Sequence, residues 1–539
     1  MTFIDVKGLR MNDKNGSGLK ALFLTVLLMA IIIVTTVMAI KHFGLRFDLL
    51  RMFSRHKVYE VTQASKNLPI SREPTASIDL TQIIELRQML EDQRFEELNA
   101  ILEGYQNLFE NDQTSEYWVY DAYGAFHVTD PVYERSFKKW IFYSSDKYQP
   151  HLAIAQYYYA KGWESRGYKW RKDTTDEQIE EMVSYFLKAE EHVKVALKTN
   201  PDLIVGYYIL TGIYNALGND EAEDRIIQKT AKLFPYSFLI KSVSSWAKEP
   251  RWGGSYALME EMAKDAEKYS NTNPKLTALY GFIYYDQGRR FNRNKRYAKA
   301  IDLFSKALEF GDHWSFYYER AKTYHFYLKQ YDLALEDINR SIELRTALDE
   351  NFRLRSRIHY ANENYMSSID DLHTAETINP GDPKTKKWRV WAAKNLLHKG
   401  HRLFKTDIPA AVEYYNLSLE WDEDNFETYY WRGVASYRLE DFESALADFE
   451  IAIKMNPGHF DSYRMIDYIF ARDQQWDTII GYWNAFLEQD PDHAGAYLER
   501  SGTHYHNKDF ENALNDLNTS CELGNKAACK RYNGLKGKI

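Results

Sequence analysis

The run Glu249-Pro-Arg-Trp-Gly-Gly-Ser255 holds the residue types best suited to gripping an anion. Gly253 and Gly254 ahead of Ser255 can bare backbone N–H groups where a helix begins, and Arg251 adds a positive charge. The same residues also spell a tight turn, with Ser255 as N-cap of a helix opening at Tyr256 and Trp252 packed on a neighbouring helix. The run lacks the Lys-Ser/Thr and the spacing of a phosphate loop, which argues against nucleotide binding. His398 and His401 stand three apart on a predicted helix and could share a face, as metal ligands do, but no carboxylate follows at the matching spacing. His504 and His506 are two apart and point away from one another on a helix. Carboxylate pairs such as Glu190-Glu191 and Glu260-Glu261 fall on helix faces expected to be solvated. Neither H-E-x-x-H nor G-x-S-x-G occurs. No catalytic residue, metal site or cofactor is predicted.

The elements that carry these residues are expected to be helices almost throughout. Of 539 residues, 45% are hydrophobic and 15% aromatic, too much large apolar surface for a disordered chain. A net charge of −8 argues against a general nucleic-acid binder. Two cysteines exclude a disulfide-dense scaffold and a four-cysteine zinc site. At about 150 residues per domain the length suggests three or four domains, a prior that fails for repeat arrays.

Residues 21–40 read ALFLTVLLMAIIIVTTVMAI, uncharged and closed by Lys20 and Lys41. At 1.5 Å per residue the run covers about 30 Å, the hydrocarbon thickness of a bilayer. A cleaved signal, with Val37-Met38-Ala39 as its site, is the rival. Signal h-regions are usually about 7–15 residues and follow a short basic stretch, so an uncleaved single-pass anchor is predicted behind a tail at 1–20. Lys7, Arg10, Lys14 and Lys20 precede the span; Lys41, Arg46, Arg51, Arg55 and Lys57 follow it. That near-tie leans only slightly towards a cytoplasmic body. Residues 41–78 form a basic flank and a linker or stalk with Pro69 and Pro74.

From residue 79 onward helical periodicity dominates. In 426–457, Tyr429 and Gly433 mark a first helix, Ala445, Phe449 and Ala452 a second, and Pro457 ends the unit. A shift of 34 gives Tyr463, Ile479, Trp483 and Pro491, and another gives Tyr497, Ala513, Leu517 and Ser520. This pattern resembles the tetratricopeptide repeat family, in seven units over about 275–525, followed by a capping helix and basic tail at 526–539. The fold class expected is all-α: a transmembrane helix, then an α-solenoid whose N-terminal part, 79–272, consists of irregular helical hairpins. There Pro201 and Pro235 are again 34 apart, and Thr174 with Glu177 suggests a helix-starting capping box. The segment AKGWESRG together with PRWGGS resembles a bacterial helical family of unassigned function, over about 150–270.

The repeat resemblance implies a concave groove lined by the first helices. Matching positions are Phe316, Arg353, Arg357, Tyr360, Tyr430, Tyr437, Arg438, Arg464, Tyr468, Arg472 and Tyr505. Arginines among tyrosines suit an acidic or C-terminal peptide, although some of them could instead pair with carboxylates of the next repeat. The Lys/Asn carboxylate clamp of chaperone-binding members is not reproduced. A membrane-anchored, non-catalytic scaffold for a protein or peptide partner is the function implied. The rival is an enzyme or small-ligand receptor with its site in 79–272, centred on Arg251–Ser255. Cys521 and Cys529 close the last repeat in a segment resembling the Sel-like repeats, whose cysteines at this spacing staple adjacent helices. That resemblance implies a disulfide, the alternative being two buried thiols in a reducing compartment. A bond would favour a body on the periplasmic side of a bacterial inner membrane, against the charge lean.

Overall fold

Apolar residues recurring at the helical period bury one face of each segment, and turns follow wherever that period breaks. The computed structural model describes residues 58–73, 77–167 and 174–536. The predicted anchor at 21–40 lies outside them; among the described residues no helix is long and apolar enough to cross a membrane, and no strand forms. The chain from Val61 onward is one compact unit.

Its irregular first part contains α1 (Leu80–Glu91), α2 (Phe95–Asn111), α3 (Glu116–Gly124), α4 (Val132–Tyr143), α5 (Gln149–Arg166), α6 (Asp176–Thr199), α7 (Ile204–Leu217), α8 (Asp220–Leu233), α9 (Phe238–Ala247) and α10 (Tyr256–Glu267). Seven helix pairs follow: α11 (Ala278–Arg293) with α12 (Tyr297–Leu308), α13 (Trp314–Thr323) with α14 (Tyr331–Leu344), and α15 (Asp349–Ala361) with α16 (Tyr365–Ile378). The last four are α17 (Pro383–Leu403) with α18 (Ile408–Trp421), α19 (Phe426–Arg438) with α20 (Phe442–Met455), α21 (Phe460–Arg472) with α22 (Trp476–Gln489), and α23 (Ala494–His506) with α24 (Phe510–Glu522). Helix α25 (Lys526–Lys536) caps the stack.

Three periodic devices hold the pairs. Small residues on the first helix let an aromatic ring of the second lie against the backbone: a Cβ on Gly433 would meet the Phe449 ring at 2.8 Å, and one on Gly288 the Phe304 ring at 2.5 Å. Gly162 and Phe186 repeat the arrangement between α5 and α6, so the irregular part shares the packing rule. The turn inside six of the seven pairs, all but α17–α18, uses a left-handed residue; Lys295, Lys329 and Glu363 are spaced by 34, as are Glu440, Gln474 and Lys508. Arginine–aspartate forks then tie the two helices together. Arg355 with Asp371, Arg432 with Asp448 and Arg500 with Asp516 each close an Nη2–Oδ1 bond of 2.7 Å. The same arginines reach back to Asn339, Asn416 and Asn484 of the preceding pair at 2.9, 2.8 and 2.6 Å, stitching neighbouring repeats. Such bidentate, half-buried pairs gain more from geometry than exposed ones do.

Two local expectations shift. The cap of α6 is Thr175 with Gln178, one residue later than Thr174 with Glu177: Thr175 has the extended backbone of an N-cap and exchanges bonds with Gln178 at 3.3 Å, while the Thr174 side chain is buried. The supposed stalk is docked along 61–73. The Val61 N–H donates to the Tyr284 hydroxyl at 2.9 Å, the Gln63 N–H to Glu260 Oε1 at 2.5 Å, and the Asp312 N–H to the Ser71 carbonyl at 3.1 Å. Burial alone would raise the Glu267 pKa, but bonds from Ser65, Tyr280 and Lys264 hold it down at about 2.

The superhelix closes on itself. Helix α1 packs on α16, where Leu80 meets Phe352, Ala375 and Ile378. Buried Arg87 supplies donors to carbonyls that two helix ends leave unpaired: Nε to Ala125 at 2.6 Å beyond α3, Nη1 to Thr377 at 2.5 Å and Nη2 to Ile378 at the end of α16. Beside it, Arg345 at the end of α14 pairs with Asp121 of α3, both nearly inaccessible, and Ser77 donates to the same carboxylate. Asp121→Ala leaves a buried unpaired guanidinium, so a loss of about 3–5 kcal/mol is expected. Denaturant titration with amide exchange across α1–α3 measures it; a loss below about 1 kcal/mol would assign the pair no more than a surface bridge's role.

A disulfide joins Cys521 and Cys529 across the turn from α24 to α25. Closing so short a loop stabilises by about 2.5 kcal/mol on the chain-entropy view. The double Cys→Ser variant is expected to lose exchange protection over 526–536 while the repeats before it keep theirs.

Candidate functional site

The arginines of the repeats divide into two sets. Those at the fork positions (Arg320, Arg355, Arg432 and Arg500) are each spent on an aspartate of their own pair. Arg438 and Arg472, at the ends of α19 and α21, are exposed and form no ion pair among the described residues. Their guanidinium groups lie 4.9 Å from the Phe404 ring and 3.5 Å from the Phe442 ring. Arg357 is half-buried 4.8 Å over Trp388, likewise without a carboxylate. Tyr468 and Tyr505 are 45% and 47% exposed, enough area for a partner to cover. Tyr430 and Tyr437 are half-buried against His459 and Phe442.

Other expected groove residues are engaged elsewhere. Phe316 is fully buried against Phe282 and Tyr285 and offers a groove no surface. Arg353 is held by Asp349 at 2.6 Å and Asp382 at 2.8 Å, where it joins one repeat to the next. Arg464 pairs with Asp461 at 2.9 Å on its own helix, and Tyr360 packs among Tyr365, Trp388 and Trp421. His398 and His401 have ring centroids 6.0 Å apart, and no group able to hold a metal occurs among the described residues.

The segment Arg251–Ser255 is a turn. Gly253 takes a left-handed φ of 97°, Gly254 presses against the Lys248 carbonyl so closely that a side chain has no room, and Ser255 Oγ accepts the Leu258 N–H at 3.2 Å. Trp252 packs 5.4 Å from Trp246, with Arg251 over both rings. The Arg251 guanidinium is bonded at 2.5 Å to buried Glu249, leaving it ill placed for an external anion. Burial, with Asp286 nearby, pushes Glu249 up to about 7. Buried Glu116 also rises to about 7 through desolvation, although Ser237 and the N–H groups of Phe238 and Leu239 donate to it at the start of α9.

What the sequence left unseen is a cleft that the closure creates. Side chains from α3, α5, α7, α9, α11, α13 and the turn after α14 converge on a cavity of about 590 Å³. Its wall includes Tyr117, Tyr120, Tyr159, Trp163, Tyr208, Trp246, Phe282, Tyr285, His313 and Trp314. A chamber of about 340 Å³ adjoins it, sharing Tyr120, Tyr208, Trp314, Arg345 and Glu350. Both volumes fall in the range of small-ligand sites. Tyr120 and Tyr208 meet at 4.9 Å, and Phe282 and His313 at 5.0 Å. The Arg345 guanidinium lies 4.6 Å from the Tyr117 ring and 5.5 Å from that of Tyr120. Burial, with Arg345 and Lys275 near, lowers His313 to about 3, so its imidazole is neutral. Burial raises Asp121 despite Arg345, and raises Tyr117 and Tyr120 as well. These rings lie far apart in the chain at no shared period, so only their number, never their meeting, was visible beforehand.

Two family models match the chain: Domain of unknown function (DUF4034) over residues 82–198, and Tetratricopeptide repeat over 426–459. The first ends before Glu249, so the Arg251–Ser255 turn lies outside it, and its span starts earlier than the expected 150–270. No curated protein matches. Among solved structures, yeast Tom70 is 13% identical over 85% of this chain and 96% of its own, at a TM-score of 0.25. The TPR domain of P58(IPK) is 14% identical over 65% of this chain and 92% of its own, at 0.23. The TPR2AB domain of yeast Sti1, in complex with pHSP90, is 17% identical over 43% and 98%, at 0.21. TM-scores this low bear on neither the arrangement nor the function of this chain.

Because Glu116 and Glu249 bind protons more tightly folded than unfolded, stability falls as pH rises from about 4.5 to about 7. Each group's share is at most about 3 kcal/mol. Equilibrium unfolding of Glu249→Gln against pH is expected to show a shallower decline over that window, and an unaltered profile would exclude Glu249 as a source.

Proposed function

We propose that this chain, whose tetratricopeptide repeats follow a DUF4034 segment, is a membrane-anchored, non-catalytic scaffold that holds a protein or peptide partner on the inner face of its repeats. The observation that carries this reading is the contrast between the two arginine sets. Fork arginines are consumed by the fold, whereas Arg438 and Arg472 stay exposed and stacked on rings, with no ion pair among the described residues, and Tyr468 and Tyr505 are exposed on the same series of first helices. A guanidinium held flat by a ring is pre-organised for a carboxylate, which suits an acidic or C-terminal peptide. Tethering rests on residues 21–40, whose length and uncharged character match a bilayer. The Cys521–Cys529 bond supports a body in an oxidising compartment, the periplasmic face of a bacterial inner membrane.

A second reading, a small-ligand receptor in the first part of the chain, is favoured by the aromatic cleft rather than by the Arg251–Ser255 turn. Full-length chain with Arg438→Glu and Arg472→Glu is expected to release partners captured by the unaltered protein, with affinity reduced at least roughly tenfold. Quantitative cross-linking and co-purification from the source cells measures this; an unchanged set of partners would refute the groove.

A further inference from the structure

The cleft is more than a void between helices, because its walls and its charge point to one kind of occupant. Tyr117 and Tyr120 already face a guanidinium, that of Arg345, and show that this wall accepts a cation. Asp121 neutralises Arg345, so that pair adds no net charge. Glu350, in the first turn of α15, lines both chambers beside Tyr120, Tyr208 and Trp314. It forms no ion pair or hydrogen bond among the described residues. Of the cations around it, Arg353 is taken by Asp349 and Asp382, Lys322 by Glu319, and Lys384 adds a through-space attraction. A carboxylate with no bonded counter-ion among the described residues, set among electron-rich ring faces in a cavity of about 590 Å³, is complementary to an organic cation.

We propose that the cleft binds the basic side chain, lysine or arginine, of a polypeptide partner, with Glu350 as counter-ion and the rings of Tyr208 and Trp314 stacked on the cation. A volume of this size admits a side chain and its flanking residues but not a folded domain. The alkyl stem of lysine or arginine would lie along the aromatic wall while its head reaches the acid. This inference rests on the cleft being a ligand site and not on the groove of the later repeats, so each can fail while the other stands. Glu350 also sits where an acid favours a helix N-terminus, a structural role that by itself would leave ligand binding unmoved.

Isothermal titration of the full chain with acetylated, amidated Gly-Arg-Gly and Gly-Lys-Gly tests the proposal against the uncharged citrulline analogue. The basic peptides are expected to bind at least tenfold more tightly than the citrulline peptide, and Glu350→Gln to abolish that preference. Trp314→Leu is expected to weaken binding without removing the preference for charge. Glu343→Gln removes an exposed acid already paired with Arg340 and is expected to change nothing. Equal binding of the citrulline peptide, an unchanged preference in Glu350→Gln, or no binding of either basic peptide would each overturn the proposal. Binding of tetramethylammonium without the basic peptides would overturn it in favour of a small free cation, and binding of cellobiose alone in favour of a neutral sugar. Unfolding curves of Glu350→Gln matching the unaltered protein's confirm that a lost preference is not lost structure.

Discussion

The buried pair of Arg345 and Asp121 decides whether this stack of helices has an inside. Neither charge is tolerable alone at that depth, and together they are satisfied only when the end of α14 meets α3. Arg87 acts in the same place by a different route, supplying donors to the open carbonyl ends of α3 and α16. An interface built from helix ends and two buried arginines is selective about register, because a shift of one turn would strand both the charges and the carbonyls. Once it forms, aromatic side chains from α3, α5, α7, α9, α11 and the start of α13 face one another across a cleft that no single hairpin contains. The docked segment 61–73 runs along α10, α11 and α14, further tying the beginning of the unit to its middle.

Beyond the closure the chain obeys a simpler rule. The later pairs draw on the same three devices, the fork, the left-handed turn and the ring against a small residue, so stability there accumulates by nearest-neighbour contacts. The fork explains why so many arginines in a first helix are unavailable to a partner, and why the few outside it are informative. Where the rule lapses, other chemistry fills in: in the α21–α22 pair no arginine occupies the fork, and Asp467 accepts the Trp483 indole N–H at 2.8 Å instead, with burial raising its pKa to about 6. The chain from Val61 onward thus combines a regular stack of helix pairs with a closed first part bearing an aromatic interior.

The repeats were legible because their signal is local and recurrent: Gly433, Ala445 and Phe449 meet within one hairpin, so spacing along the chain is spacing in space. The turn at Arg251–Ser255 was legible for the same reason, its glycines and its capping serine acting within six residues. For the proposed groove the linear pattern gave positions but not their availability. Position within a repeat picked out Arg438 and Arg472 together with Phe316 and Arg353, and nothing in the linear pattern says that Phe316 is swallowed by Phe282 or that Asp382 claims Arg353.

The sequence by itself determined an all-helical chain, the period and register of its repeats, and an apolar run of bilayer length near its start, because each depends on residues close together along the chain. Only the tertiary structure decided that Asp121 and Arg345, 224 positions apart, would meet, and that Glu350 would line the cleft among the rings. Those outcomes depend on how successive helix pairs stack, summed over the stretch from α1 to α16. No short stretch of residues encodes that sum, and it is the sum that makes the cleft.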